Sequence, residues 1–202
     1  MSQSQPSSTG RYRWRIVDIV VGAVLGIAVG LIFFFWNFAG AAAGDALKFI
    51  YPPLQGLVGG MWLLGGVLGA VIIRKPGASV YVELIAAMVP AIMGNQWGPT
   101  VLVSGLVQGL GAELVFLIFL YRVWKLPVAM LAGALAGVFE WFYELFVWWV
   151  GYSWNFKVMY LVFLVISGAV LAGVLSWLIQ QGLARTGVLD RFESGREARI
   201  LV

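Results

Sequence analysis

Two glutamates, Glu140 and Glu144, stand one helical turn apart in the stretch VFEWFYELFVWW (Val138 to Trp149), whose other residues suit the interior of a bilayer. A carboxylate at the centre of a membrane helix costs on the order of 2.5–3.5 kcal/mol on the insertion scale, so such residues face a cavity or a partner rather than lipid. Glu83 and Glu113 lie in equally apolar runs, and Gln108 shares the run of Glu113. The chain contains no histidine and no cysteine. Disulfides, thiol nucleophiles, zinc clusters and imidazole acid–base catalysis are therefore excluded. A GxxxxGK[ST] phosphate loop is also missing, which excludes ATP hydrolysis of the usual kind. Carboxylate, amide, hydroxyl and aromatic groups remain, and together they suit binding: carboxylates attract a small cation, and an aromatic wall adds cation–π attraction.

The elements that must position these groups follow from hydropathy. Of 202 residues, 61% are hydrophobic and 11% charged, with a mean hydropathy of +0.93, against about 25% charged in soluble chains. The few charges collect between apolar runs long enough to cross a hydrocarbon core about 30 Å thick. The expected fold is an all-α membrane protein with six transmembrane helices: Trp14 to Phe38, Leu54 to Ile73, Gly77 to Met93, Pro99 to Val123, Leu126 to Val150 and Phe156 to Ala184. Residues 1–13 and 186–202 read as tails, and 14–185 as one binding domain. The first apolar run is too long for a signal-peptide core and reads as a retained span. The segment AGAAAGDALKFIYPP (39–53) reads as a separate short helix at the outer surface.

Basic residues set the orientation. One side holds eleven of the 13, including Arg13, Arg15, Arg74, Lys75, Arg122, Lys125 and Arg185, while Lys48 and Lys157 fall on the other. Both termini are therefore expected in the cytoplasm of a prokaryote, with the chain multi-pass in its plasma membrane. The pI near 9.6 reflects this bias, and no nucleic acid is expected as a partner.

At 100° per residue, Glu140, Tyr143 and Glu144 share a stripe with Gly133, Ala136 and Gly137, while Phe142, Leu145, Phe146 and Trp149 cover the opposite face. Small residues mark the packed side and bulky ones the lipid side. Ser79, Glu83, Ala86, Ala87 and Pro90 align in the third span, and Ser104, Gly105, Gln108, Gly111 and Ala112 in the fourth, with Glu113 turned away toward a helix contact. Glu83, Gln108, Glu140 and Glu144 thus converge on one outward-facing chamber. Trp36, Trp97, Tyr143, Trp148, Tyr152 and Trp154 either roof it or belong to the interfacial aromatic belt. In the first span, Asp18, Gly22, Gly26 and Gly30 recur every four residues, an edge for internal packing or for docking a partner membrane subunit.

Several stretches resemble a known family: IIRKPGAS (Ile72 to Ser79), GNQWGP (Gly94 to Pro99), GLVQGLGAE (Gly105 to Glu113), PVAMLAG (Pro127 to Gly133), YELF (Tyr143 to Phe146), ISGAVLAG (Ile166 to Gly173) and TGVL (Thr186 to Leu189). These resemble the YkoE family, S components of energy-coupling-factor (ECF) transporters. The resemblance implies a thiamin or hydroxymethylpyrimidine ligand, a transmembrane coupling (T) subunit and two ABC ATPases as partners, no cofactor and no enzymatic activity of the chain's own. In such systems the S component binds vitamin outside and topples in the membrane to release it inward. Where the family often has Asp before LF, this chain has the longer Glu144. The expected ligand contacts are Glu140 and Glu144 to the thiazolium, Glu83, Asn95 and Gln108 to the pyrimidine, and Trp97, Tyr143 and Trp148 by stacking. Gly22, Gly26 and Gly30 are the expected docking edge. The reading from another class is an ion-coupled secondary transporter of a small organic cation.

Overall fold

The computed structural model describes residues 12–200 and holds helices and turns, with no strand among those residues. Helix α1 spans Ile16–Ile50, α2 is a composite of 3-10 and α turns over Pro52–Ile73, and α3 runs Ala78–Met93. α4 is Thr100–Ile118, α5 Leu126–Val147, α6 Trp154–Arg185 and α7 Glu193–Ile200. By length and composition, α1, α2, α4, α5 and α6 can each cross a bilayer, whereas α3 has 16 residues. Residues 1–11 of the expected N-terminal tail lie outside the described residues.

The helix expected separately at 39–53 is the C-terminal part of α1, which continues unbroken to Ile50. AGAAAGDAL is rich in the best helix former, and the chain turns only at Pro52 and Pro53, whose rings cannot continue it. The fourth helix ends at Ile118 rather than Val123, because Leu120 (φ 52°) and Tyr121 (φ 53°) turn left-handed. Tyr121 is held there by its hydroxyl, which donates to Glu113 at 2.7 Å. Burial, and then that bond, push its phenol above the ordinary value.

The middle of the bundle is α2. All ten residues of its last segment, Leu64–Ile73, are buried, so it is apolar all round as an enclosed helix must be. Its glycines let neighbours approach: a Cβ on Gly56 would lie 2.8 Å from the Tyr160 carbonyl. Ser167 on α6 accepts from the Gly60 N–H (2.9 Å) and donates to the Leu57 carbonyl (2.5 Å), tying two turns of α2 that the regular ladder leaves irregular.

The glycine edge of α1 is filled from within. Cβ atoms on Gly22, Gly26 and Gly30 would fall 2.6–2.7 Å from Tyr81, Ile85 and Val89 of α3. The docking reading of Gly22, Gly26 and Gly30 is corrected accordingly: α3 occupies the space a partner helix would need, and all three are buried. Gly26→Ala is expected to cost about 1–2 kcal/mol by overpacking against Ile85, read as a lower thermal unfolding midpoint of the purified protein.

The segment read as a C-terminal tail packs against the bundle. Leu189 and Phe192 join the core, and Ser194 donates to the Ile72 carbonyl (2.8 Å) while its own carbonyl accepts from Gln180 (2.9 Å). Arg74 pairs with Glu197 at 2.5 Å and lies over the Trp124 ring. Asp18, fully buried, pairs with Arg15 (2.8 Å) and with Lys75. Buried cations therefore exist at this end, each neutralised by a carboxylate, as burial of charge requires.

Candidate functional site

A cavity of about 480 Å³ lies between α1, α2, α3, α4, α5 and the start of α6. Its exposed members Asp45, Lys48, Trp148 and Tyr152 stand at the end of the bundle opposite Arg74 and Lys75. Seven of the eight residues expected at the site line it: Glu83, Trp97, Gln108, Glu140, Tyr143, Glu144 and Trp148.

The three carboxylates differ in what holds them. Glu83 (1% exposed) accepts the Gly66 N–H with one oxygen, and its Oε1 is buried without a hydrogen-bond partner. The carboxylate rests against Gly65, where a Cβ would come within 2.8 Å, so the GlyGly pair of α2 makes its seat. Glu140 (8% exposed) accepts at Oε1 from Ser104 Oγ (2.7 Å), which accepts from Gln108 Nε2 (2.7 Å); Glu140 Oε2 is buried and unpartnered. That chain of donors orients Glu140 from α4, one turn of helix supplying both Ser104 and Gln108. Glu144 has both oxygens engaged, Oε1 by Tyr160 OH (3.2 Å) and Oε2 by Trp149 Nε1 (3.3 Å). Two buried acceptor oxygens on different helices therefore lack protein donors while belonging to residues of the same cavity wall. An unmade hydrogen bond on a buried polar group is costly, and a ligand carrying N–H donors removes that cost.

The remaining wall is aromatic. Trp97 meets Trp62 edge to face (5.4 Å), and Trp62 Nε1 donates to Asn37 (2.9 Å). Tyr143 donates to the Thr100 carbonyl at 3.4 Å. Asp45 and Lys48 pair at 3.1 Å near the mouth, so their charges cancel and the three glutamates are the remaining acidic groups of the wall. A carboxyl-bearing, aromatic-lined, partly open cavity of this size suits an organic cation or a polar heterocycle.

Asn95 is placed elsewhere. Its Nδ2 donates to the Pro90 carbonyl (3.1 Å) and its Oδ1 accepts the Trp97 N–H (2.8 Å), which braces the turn after α3 and leaves it off the cavity wall. Trp149 is corrected in the opposite direction: it faces the cavity, not lipid. Helix α5 stops at Val147, and beyond it the Trp149 N–H bonds the Glu144 carbonyl, so the 100° projection no longer applies. Trp154 is 68% exposed with Lys157 over its ring and does not line the cavity. Glu113 makes the expected helix contact. It accepts the Gly77 and Ser79 N–H groups (2.6 and 2.9 Å) and caps α3, where a negative charge is favoured.

Trp62, Trp149 and Tyr160 escaped the sequence reading. A signal for Tyr160 exists: Phe156, Tyr160, Leu164 and Ser167 recur at three and four residues as the buried stripe of α6. Nothing local marks Trp62, whose polar contact is Asn37 on another helix.

Residues 17–139 match the family described as "ABC-type cobalt transport system, permease component". The chain is 40% identical over 188 residues to the "Putative HMP/thiamine permease protein YkoE" of Bacillus subtilis (strain 168), covering 92% of each. It is also similar to a solved structure titled "Crystal structure of an S-component of ECF transporter", with a TM-score of 0.85 and 38% identity over 93% of this chain and 94% of that one.

Proposed function

Because the chain belongs to the YkoE family and, through residues 17–139, to the ABC-type cobalt transport permease component family, we propose that it is the substrate-binding S component of an ECF-type importer that captures thiamin or its hydroxymethylpyrimidine precursor. The observation that carries the reading is the pair of unpartnered buried oxygens, Glu83 Oε1 and Glu140 Oε2, on one aromatic-lined cavity wall. Thiamin matches this arrangement group by group. Its aminopyrimidine offers two N–H donors, its thiazolium a fixed positive charge, and both rings stack on indole or phenol faces. Gln108 and Ser104 supply further polar contacts at the wall, and Glu144, held by Tyr160 and Trp149, adds negative charge without needing a ligand proton.

Cobalt is the less suitable cargo for this cavity. Without histidine or cysteine, a Co²⁺ site here would have only oxygen donors, whereas imidazole and thiolate suit later first-row metals better. The aromatic wall would also have no role around a small hydrated ion.

In this proposal six helices cross the membrane, α3 being the short one; both termini face the cytoplasm and the cavity opens outward. A T subunit and ABC ATPases of other chains supply the energy for inward release. Purified protein titrated with thiamin is expected to show saturable tryptophan quenching, since Trp62, Trp97, Trp148 and Trp149 all line the cavity. In liposomes the lone protein is expected to bind thiamin without accumulating it. Proton-dependent accumulation by the lone protein would favour a secondary transporter of organic cations and overturn the proposal.

Asn95→Ala separates positioning from contact. It is expected to weaken thiamin binding by less than about tenfold, the equivalent of about one neutral hydrogen bond, because Asn95 reaches the ligand only through Trp97. A larger loss in the same titration would show that Asn95 touches the ligand directly.

A further inference from the structure

We propose that a second pocket, at the end of the bundle opposite the cavity, seats the phosphodiester of an anionic phospholipid. The pocket holds about 160 Å³ and is lined by Arg15, Arg74, Lys75, Phe192, Glu193 and Arg196, with Ile73 behind them. Three separate pieces of chain meet there: the residue before α1, the turn after α2, and the first residues of α7. Each lies at the end of a helix long enough to cross the bilayer, or packs directly on such an end. That is the depth of lipid phosphates, and basic pockets at this level bind acidic headgroups.

Charge counting selects the ligand. Arg15 and Lys75 share the single carboxylate of Asp18, Arg74 pairs with Glu197, and Glu193 lies in the wall. Four cations and one carboxylate line the pocket itself, a basic wall that suits an anion the size of a phosphodiester. Arg196, exposed, directs its Nη1 to the Asp190 carbonyl at 3.4 Å, a weak bond that an anion readily replaces. Arg15, half exposed, bonds Asp18 and the Arg191 carbonyl and lies over the Phe192 ring, so its guanidinium is held at the pocket's edge.

The choice of lipid over free phosphate rests on the adjoining surface of α1. An exposed apolar row, Ile16, Val20, Val24 and Ile27, begins one residue after Arg15 and gives an acyl chain a surface to follow once the headgroup is seated. A free phosphate carries more than one charge at neutral pH and uses none of that row.

The test is the thermal unfolding midpoint of the full chain, wild type and Arg196→Gln, in micelles doped with phosphatidylglycerol or phosphatidylcholine, or with inorganic phosphate added. Phosphatidylglycerol is expected to raise the wild-type midpoint by about 3 °C or more over phosphatidylcholine, with Arg196→Gln losing at least half of that difference. In phosphatidylcholine the two proteins are expected to melt together, which shows that the substitution leaves the fold intact. Equal midpoints of the wild type in the two lipids, or an undiminished difference in Arg196→Gln, would overturn the proposal. A full shift from millimolar inorganic phosphate alone would overturn the lipid assignment in favour of a soluble anion.

Discussion

Glu140→Gln is expected to weaken thiamin binding by about 10- to 100-fold. The substitution keeps shape and keeps an acceptor for Ser104, so the Gln108 to Ser104 relay stays in place. What it removes is the negative charge and the free acceptor at Oε2, which is replaced by an amide donor aimed at the ligand's own donors. Hydrogen bonds to charged groups contribute about 1.5–3 kcal/mol, and each 1.4 kcal/mol is tenfold in affinity. Glu144→Gln is expected to lose less, since Tyr160 and Trp149 already occupy both of its oxygens. The measurement is tryptophan-quenching titration of both variants beside the wild type, with unfolding midpoints recorded to confirm folding. Wild-type affinity in Glu140→Gln would remove this carboxylate from the site and, with it, the observation on which the thiamin reading rests.

The contrast between Glu140 and Glu144 marks where sequence reasoning reached its limit. Both residues fall on one stripe by helical angle, and both line the cavity. That much was legible because a charged residue in an apolar run has few places to face. Which oxygen is free depends on Ser104, Trp149 and Tyr160, and two of these belong to other helices. Helix pairing is not encoded in the angle of any one helix.

The same limit explains the glycine edge and the C-terminal segment. Gly22, Gly26 and Gly30 announce that something approaches α1 closely, and the period says where, but not whether the neighbour is α3 or another protein. The polar character of residues 186–200 hid the two apolar anchors Leu189 and Phe192, which are 2% and 3% exposed and sufficient to dock the segment. Helix α1 extended beyond the expected span because the hydropathy window ends where lipid does, whereas alanine-rich sequence continues a helix into water or headgroups.

Gly133→Ala and Gly182→Ala add the same methyl group to two helices and are expected to act in opposite directions. Gly133 on α5 faces Gly168 at the start of a π-helical segment of α6, and a Cβ there would collide with the Gly168 carbonyl and lie 3.0 Å from the Gly173 N. Its neighbours are backbone atoms, which move only if α5 and α6 separate. At Gly26 the nearest atoms are Ile85 Cβ and Cγ2 at 2.6 Å, a less severe overlap than the 2.1 Å to the Gly168 carbonyl. The expected cost at Gly133 is about 3 kcal/mol, a drop of about 6–12 °C in the unfolding midpoint for a chain of this size. Because α5 carries Glu140 and α6 carries Tyr160, separation of these helices also loosens the cavity wall and weakens ligand binding. Gly182 has no heavy atom within 4 Å of an added Cβ and sits in the helical segment Leu175–Arg185. There alanine reduces the freedom of the unfolded chain without meeting anything, a gain of about 0.4–1 kcal/mol. Differential melting of the two variants decides the matter: if Gly133→Ala melts with the wild type, α5 and α6 do not pack through their glycine backbones, and the cavity wall they form together has a different basis.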